Sequence, residues 1–333
     1  MSIKNRIEVL QRVGQQLLQV PTKEVIARAN SANSWMTPAF AWQGIQAVCS
    51  EFLNADKLEQ WLKPYCIEDD FKLNKTVGII CAGNVPLVGL HDFLCCYVLG
   101  VPTQVKLSSK DTVLMRYVIQ QILEEDKAYA TTFCFVEKLQ NFDAVIATGS
   151  ASTNRYFEYY FSKYPNILRS NRVSVAVLLG TETAADLEAL ANDVFLYFGL
   201  GCRNVAKVFL PEGFDATLLL QNFTAYSWLH GHSQYMNNYD YNRTVLLMNK
   251  APHWANEFVM LQENTALHSP IATLYFERYK DLSSVQAHLK LLENQIQCVV
   301  GKEKGMIPFG KAQQPTLSDY ADGKDTIGFL LGL

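Results

Sequence analysis

The sequence predicts an α/β protein built of two doubly wound lobes, with a helical region ahead of the first. Three observations carry this. Apolar positions recur at helical spacing through the first part of the chain. From Thr76 the pattern changes to short apolar strand, polar turn and helix, repeated. A second series of the same kind starts at Val173. Repeats of that unit build parallel sheets covered by helices on both faces. A chain of 333 residues, 49% of them hydrophobic, has core enough for two such domains.

Taken in order, Ile7, Val9, Leu10, Val13, Leu17 and Leu18 form one apolar face, and further helices are expected over 23–29, 38–52 and 55–65. Thr76-Val77-Gly78-Ile79-Ile80-Cys81 reads as a strand, and the turn Ala82-Gly83-Asn84-Val85-Pro86 leads into a helix over 87–99. Thr103 to Leu107 is a second strand, Ser108-Ser109-Lys110-Asp111 a second turn, and 112–125 a helix. Strands are expected at 133–136 and 141–147; Thr148-Gly149-Ser150 then opens a helix over 152–164. Polar residues and a proline interrupt the pattern at 165–171, which marks the junction. The second lobe is expected to contain a strand at 173–179, a helix at 184–197, a strand at 205–210 and a helix at 215–229. Strands at 244–248, 271–276 and 296–300 would follow, and a last apolar strand or turn at 327–331. The expected division is 1–168 for the helical region and a Rossmann-like dinucleotide domain, and 169–309 for a catalytic domain. A tail, 310–333, is expected to return to the first domain.

Composition narrows the function. A net charge of −3 gives no bulk attraction for nucleic acid or an anionic membrane. No apolar run approaches the length of a membrane span, and the N-terminus runs into an amphipathic helix rather than a signal core. The eight cysteines contain no CxxC pair, so neither a disulfide framework nor a zinc site is suggested, and the cytoplasm is the expected compartment. No metal site is expected; His230-Gly231-His232 lacks a third ligand at a recognisable spacing.

Cys202 lies in Phe198-Gly199-Leu200-Gly201-Cys202-Arg203-Asn204, between a helix and a strand. A thiol there is either a buried small hydrophobe or a nucleophile. The flanking glycines give a carbonyl room to approach, and Arg203 with the local N–H groups favours thiolate. In the first lobe, the turns after three strands bring small residues and Lys106 to the carboxyl ends of a parallel sheet, where ligands bind. There is no GxGxxG and no Walker A motif.

In that order, Gly83-Asn84-Val85-Pro86, Val105-Lys106-Leu107-Ser108-Ser109-Lys110-Asp111, Thr148-Gly149-Ser150 and the Gly-x-Gly-Cys turn, the chain resembles the aldehyde dehydrogenase superfamily. Within it the chain is most similar to the fatty-acyl-CoA reductases related to the reductase subunit of bacterial bioluminescence, a likeness that includes Leu317-Ser318-Asp319-Tyr320-Ala321-Asp322-Gly323. The resemblance implies the aldehyde dehydrogenase fold, with Cys202 as the nucleophile that takes an acyl group from a thioester. Asn84 would form the oxyanion hole with the Cys202 backbone N–H. Lys106, Ser108, Ser109, Thr148, Gly149 and Ser150 would line a nicotinamide dinucleotide. Hydrolytic members carry a general-base glutamate where this chain has Asn166-Ile167-Leu168-Arg169-Ser170-Asn171-Arg172, without a carboxylate. A reductase that keeps its thioester from water has no use for that base. Ser109 followed by Lys110 replaces the glutamate often found in NAD-dependent members, which admits a 2′-phosphate and favours NADPH, with NADH as the second choice.

The implied activity is reduction of a fatty acyl-CoA or acyl-carrier thioester to the aldehyde. The alternatives are a short-chain NAD-dependent acylating aldehyde dehydrogenase and a catalytically idle docking subunit of an acyl-transfer complex. The chain is compatible with a homo-oligomer, and neither nucleic acid nor a membrane is an expected partner.

Overall fold

A computed structural model of the protein describes residues 1–19, 22–68, 71–149, 151–169 and 172–333. The chain divides into two compact units, Met1–Asn171 with Pro315–Leu333, and Arg172–Gln314.

The first unit opens with four helices, α1 (Ile3–Gln19), α2 (Lys23–Ala32), α3 (Pro38–Glu51) and α4 (Ala55–Leu62). Ile7, Leu10, Val13 and Leu17 form the buried stripe of α1 at the helical repeat. At Gly14 a Cβ would lie 3.0 Å from Leu53 Cβ, so the helix approaches the end of α3 closely. Then come β1 (Val77–Ile80), α5 (Leu90–Leu99), β2 (Thr103–Lys106), α6 (Val113–Glu125), α7 (Lys127–Ala130), β3 (Phe133–Phe135), β4 (Ala144–Thr148), α8 (Ala151–Phe161) and β5 (Asn166–Arg169). The five strands are all parallel, in the order β3-β2-β1-β4-β5. This is the start of the doubly wound order, in which the chain reverses direction beside β1 and leaves a ligand crevice at the carboxyl ends of β1 and β4. Helix α5 is buried from Asp92 to Leu99 and is apolar there on every side apart from Asp92, as a central helix of the unit must be.

β5 is a strand that the sequence pattern does not announce. Its Arg169 is buried and pairs with Asp92 of α5 at 2.5 Å, while its second guanidinium nitrogen donates to Thr326 Oγ1 at 2.9 Å. Thr326 begins a helix, Thr326–Leu331, where a strand or turn was expected. Asp325 caps it by accepting from Gly328 N, and Ile327 and Leu330 are buried in the core of this unit.

The second unit contains β6 (Val173–Val177), α9 (Ala184–Phe195), β7 (Val205–Pro211), α10 (Thr217–Asn222), α11 (Ser233–Met248), β8 (Trp254–Ala255), β9 (Met260–Glu263), β10 (Thr273–Tyr279), α12 (Leu282–Leu291) and β11 (Ile296–Val300). The sheet order is β11-β6-β7-β10-β9-β8, parallel except for the edge pair β8/β9. The strand expected at 244–248 is instead the last turns of α11. Its apolar residues suggested a buried strand, yet only Leu246 is buried, while Leu247 and Met248 are exposed. β9, which pairs along β10, was not expected either; of its four residues only Met260 and Leu261 are buried. No described helix is long and apolar enough to cross a membrane.

Candidate active site

In the second unit, α9 ends and the chain turns sharply before β7. Tyr197, Phe198 and Gly199 all have left-handed φ, at 54°, 60° and 74°. Two of the three are bulky L-residues, for which this conformation is strained and must be held by its surroundings. Asn204 does much of the holding. Its Nδ2 donates to the carbonyls of Asp193, Val194 and Leu196 at 2.9–3.2 Å, satisfying the carboxyl end of α9. Its Oδ1 accepts from Gly201 N at 2.8 Å. Ser174 Oγ, from β6, donates to the carbonyl of Cys202 at 3.0 Å. Cys202 is therefore fixed through its own backbone and through the residues before and after it, and is half-buried. The local N–H groups are less open than the sequence suggested, since Gly201 donates to Asn204 and Leu200 to the Tyr197 carbonyl.

The next layer holds the loop 310–312. Arg203 Nε donates to the Ala312 carbonyl at 2.5 Å, and the buried Asp193 carboxylate accepts from Gly310 N at 2.6 Å and Ala312 N at 2.9 Å. Burial pushes the Asp193 carboxyl up to about 6, against the lowering effect of those two N–H donors. Arg203 is thus engaged with a carbonyl, a second use for the cation that the sequence placed beside the thiol.

In the first unit the turns after β1, β2 and β4 share one edge of the sheet. Ile80 lies in register with Lys106 on one side and with Ala147 on the other, so Cys81 to Gly89, Leu107 to Thr112 and Thr148-Gly149 emerge side by side. Gly83 is required where the first two meet: a Cβ there would come within 2.6 Å of Ser108 Cβ and Oγ. Asp111, buried at the end of the second turn, accepts from Leu87 N at 2.7 Å and secures Leu87 at a left-handed φ of 59°. The loop that carries Asn84 is consequently tied at both ends to the loop that carries Ser108 and Ser109. Asn84 and Ser108 are half-buried; Lys106 and Ser109 are exposed. Thr148 and Gly149 are half-buried at the end of β4, and Ser150 lies outside the described residues. A cation and hydroxyls at the carboxyl ends of parallel strands fit the ribose and phosphates of a dinucleotide.

Sequence reasoning did not assign roles to Asn204, Asp193, Ser174 or Asp111, whose parts depend on burial and on backbone partners. Among the described residues no group of three or more His, Cys, Asp or Glu could hold a metal ion. His91 is packed among Phe52, Trp61 and Tyr320 with its Nε2 2.9 Å from the Leu317 carbonyl. His232 caps α11, its Nδ1 accepting from Tyr235 N. The aromatic run on α8 divides, with Phe157 and Phe161 packed on the sheet and Tyr156, Tyr159 and Tyr160 exposed.

Asp111 yields a pH prediction. Desolvation raises its folded pKa from 3.8 to about 6, outweighing its backbone donors Leu87, Met115 and Leu114. A carboxyl raised on folding contributes stability while protonated and loses it as pH climbs through the folded value. Urea unfolding of the wild type should therefore show a decline between about pH 4 and pH 6 that is shallower in Asp111→Asn. Parallel pH profiles for the two proteins would refute the assignment; Asp193, which is raised too, contributes the same sign to both.

No family model matches the chain, and no curated protein matches its sequence. Solved structures do match. An aldehyde dehydrogenase 21 from Physcomitrella patens, in complex with succinate, superposes with a TM-score of 0.66 at 12% identity, covering 91% of this chain and 74% of that one. An NAD-dependent benzaldehyde dehydrogenase from Corynebacterium glutamicum gives 0.65 at 14% identity, covering 92% and 77%. An NADP-dependent glyceraldehyde-3-phosphate dehydrogenase from Bacillus halodurans, complexed with NADP, gives 0.64 at 12% identity, covering 92% and 75%. The chain has the aldehyde dehydrogenase fold.

Proposed function

We propose that the protein is a nicotinamide-dependent reductase that converts a fatty acyl thioester, acyl-CoA or acyl-carrier, to the aldehyde. The observation that carries this reading is the Cys202 turn: a half-buried thiol on a strained bend whose backbone is fixed by Asn204 and Ser174. Preorganisation of that kind suits a nucleophile that must meet a carbonyl in one geometry. The thiolate of Cys202 attacks the thioester carbonyl, the carrier thiol leaves, and an acyl-cysteine remains. Asn84 is assigned to donate its amide to the oxyanion that develops in that attack. Lys106, Ser108, Ser109, Thr148 and Gly149 are assigned to hold the dinucleotide, joined by Ser150. A bound reduced nicotinamide would supply the hydride that takes an acyl-cysteine to the aldehyde level.

The absence of a hydrolytic base supports thioester chemistry over acid formation. Residues 166–172 contain no carboxylate, and the one cation of β5, Arg169, is occupied by Asp92 and Thr326. Of the solved proteins that share this fold, the Corynebacterium glutamicum benzaldehyde dehydrogenase is NAD-dependent and the Bacillus halodurans glyceraldehyde-3-phosphate dehydrogenase is NADP-dependent. The exposed Ser109-Lys110 pair favours the phosphorylated one, since a 2′-phosphate meets a cation there and no carboxylate.

One experiment tests both parts. Consumption of NADPH and of NADH is followed with a series of acyl-CoA chain lengths, for the wild type and for Ser109→Glu. The reading expects aldehyde formation with a long-chain preference, faster with NADPH. The glutamate should repel the 2′-phosphate and shift preference toward NADH, mainly through KM. No reduction at any chain length refutes the activity; an unchanged cofactor ratio in the variant refutes the role of Ser109 alone.

A further inference from the structure

Gly201, Cys202, Arg203 and Asn204 form one turn, closed by Asn204 N donating to the Gly201 carbonyl at 3.1 Å. Cys202 and Arg203 are its two central residues, so a restraint on Arg203 also restrains the rigid peptide plane that joins it to Cys202. The ends of the turn are tied to α9 by Asn204, which donates to three carbonyls of that helix end and accepts from Gly201 N. The centre has two restraints. One is the hydrogen bond from Ser174 Oγ to the Cys202 carbonyl. The other is Arg203, whose Nε donates to the carbonyl of Ala312 at 2.5 Å.

That second restraint holds the turn only as firmly as Ala312 is itself held. Asp193 of α9 is fully buried, and its carboxylate accepts from Gly310 N at 2.6 Å and from Ala312 N at 2.9 Å. Lys311 N closes a turn onto the Pro308 carbonyl at 3.1 Å. A Cβ at Gly310 would lie 3.3 Å from Ala189 Cβ, so the loop rests directly on α9. The ends of the Cys202 turn and its centre are thus referred to the same helix. Ala312 is fully buried, and its carbonyl requires a donor from the protein. The acceptor is neutral, so an uncharged N–H in the place of Arg203 Nε would serve it.

We propose that Arg203 is a positioning residue. Its Nε hydrogen bond to Ala312, and not its charge, holds Cys202 in the geometry for attack on a thioester carbonyl. This rests on the reading of Cys202 as the nucleophile.

Two variants separate the tether from the charge. In Arg203→Gln the side-chain Nε2 stands as many bonds from Cα as the arginine Nε, so the donor is kept and the charge is lost. Arg203→Met has the same reach and no donor. Wild type and variants are mixed with dodecanoyl-CoA without cofactor, below the unfolding midpoint of each. Acylation of Cys202 is timed by quenched-flow intact-mass analysis over a range of thioester concentrations. Arg203→Met should lower the maximal acylation rate about tenfold, the loss of one charge-assisted hydrogen bond, at an unchanged half-saturating concentration. Arg203→Gln should stay within about twofold of the wild type. An equal fall in both variants means that the charge acts, and overturns the proposal. It is also overturned if Arg203→Met keeps the wild-type rate while its unfolding midpoint drops, or if only the half-saturating concentration rises. A fall in Arg203→Gln overturns it even where Arg203→Met does not fold. A wild type that forms no adduct on Cys202 refutes the nucleophile itself, and this proposal with it.

Discussion

Cys202→Ala abolishes aldehyde formation from acyl-CoA and leaves dinucleotide binding close to that of the wild type: this is the largest effect expected of any single substitution. The residues assigned to the dinucleotide belong to the first unit, while Cys202 belongs to the second, on a turn whose backbone contacts do not use the thiol. Alanine keeps the hydrogen bond from Ser174 to the residue-202 carbonyl, so the turn itself should survive. The control is intact-mass analysis of the wild type incubated with acyl-CoA and no cofactor. An acyl adduct should accumulate, and peptide mapping should place it on Cys202. Iodoacetamide should also reach this thiol ahead of Cys49, Cys81, Cys95 and Cys96, which are buried. Desolvation raises the thiols of those four above their usual range, Cys49 to about 12, so they are poor nucleophiles. Turnover by Cys202→Ala, or an adduct on Cys66 or Cys134, both exposed, would remove the covalent route from the proposal.

The parts of the fold that were legible in the sequence are those where burial makes a one-dimensional pattern. β1, β4 and β6 are buried over almost their whole length and read as mainly apolar runs, interrupted by Gly78 in β1 and Ser174 in β6 and closed by Thr148 in β4, and glycine or polar residues follow within three residues where the chain must turn. β5 failed that pattern because it ends in Arg169, which is buried only through Asp92 and Thr326, 77 and 157 residues away. The last turns of α11 failed it in the other direction, since an apolar run on an exposed helix looks like a core strand. The C-terminal helix had a readable signal, Asp325 ahead of an apolar stretch, that the run of Ile327 to Leu331 obscured. The site divides in the same way. Glycines and a cysteine in sequence identify the turn, and Gly83 marks a close approach. What fixes those turns is long-range and donates or accepts at backbone atoms: Asn204 to three carbonyls of the preceding helix end, Asp111 to the N–H of Leu87. An asparagine after a cysteine and an aspartate before a helix have many uses, and only the folded chain distinguishes them.

For Asn84→Ala the expected result is a fall in kcat of about 10²–10³-fold with KM for the thioester little changed. The reasoning starts from the timing of the charge. A carboxamide aimed at a ground-state carbonyl contributes equally before and during attack, whereas one aimed at the developing oxyanion contributes most in the transition state. Its value then depends on being held in place beforehand, because reorientation during the reaction would consume the gain. The loop holding Asn84 meets that requirement: Gly83 fits against Ser108 with no room for a Cβ, and Asp111 anchors Leu87 three residues on. A second variant separates donation from loop support. Asp111→Ala leaves the Asn84 amide intact and removes the anchor, so it should lower kcat by less and lower the unfolding midpoint as well. Asn84→Ala should lower the midpoint less than Asp111→Ala does, since the Asn84 side chain is half-buried and that of Asp111 is buried. If Asn84→Ala raises KM at unchanged kcat, the residue binds substrate in its ground state and the oxyanion needs another donor. If it lowers stability as much as Asp111→Ala does, the residue is part of the turn's architecture and the assignment to the oxyanion fails.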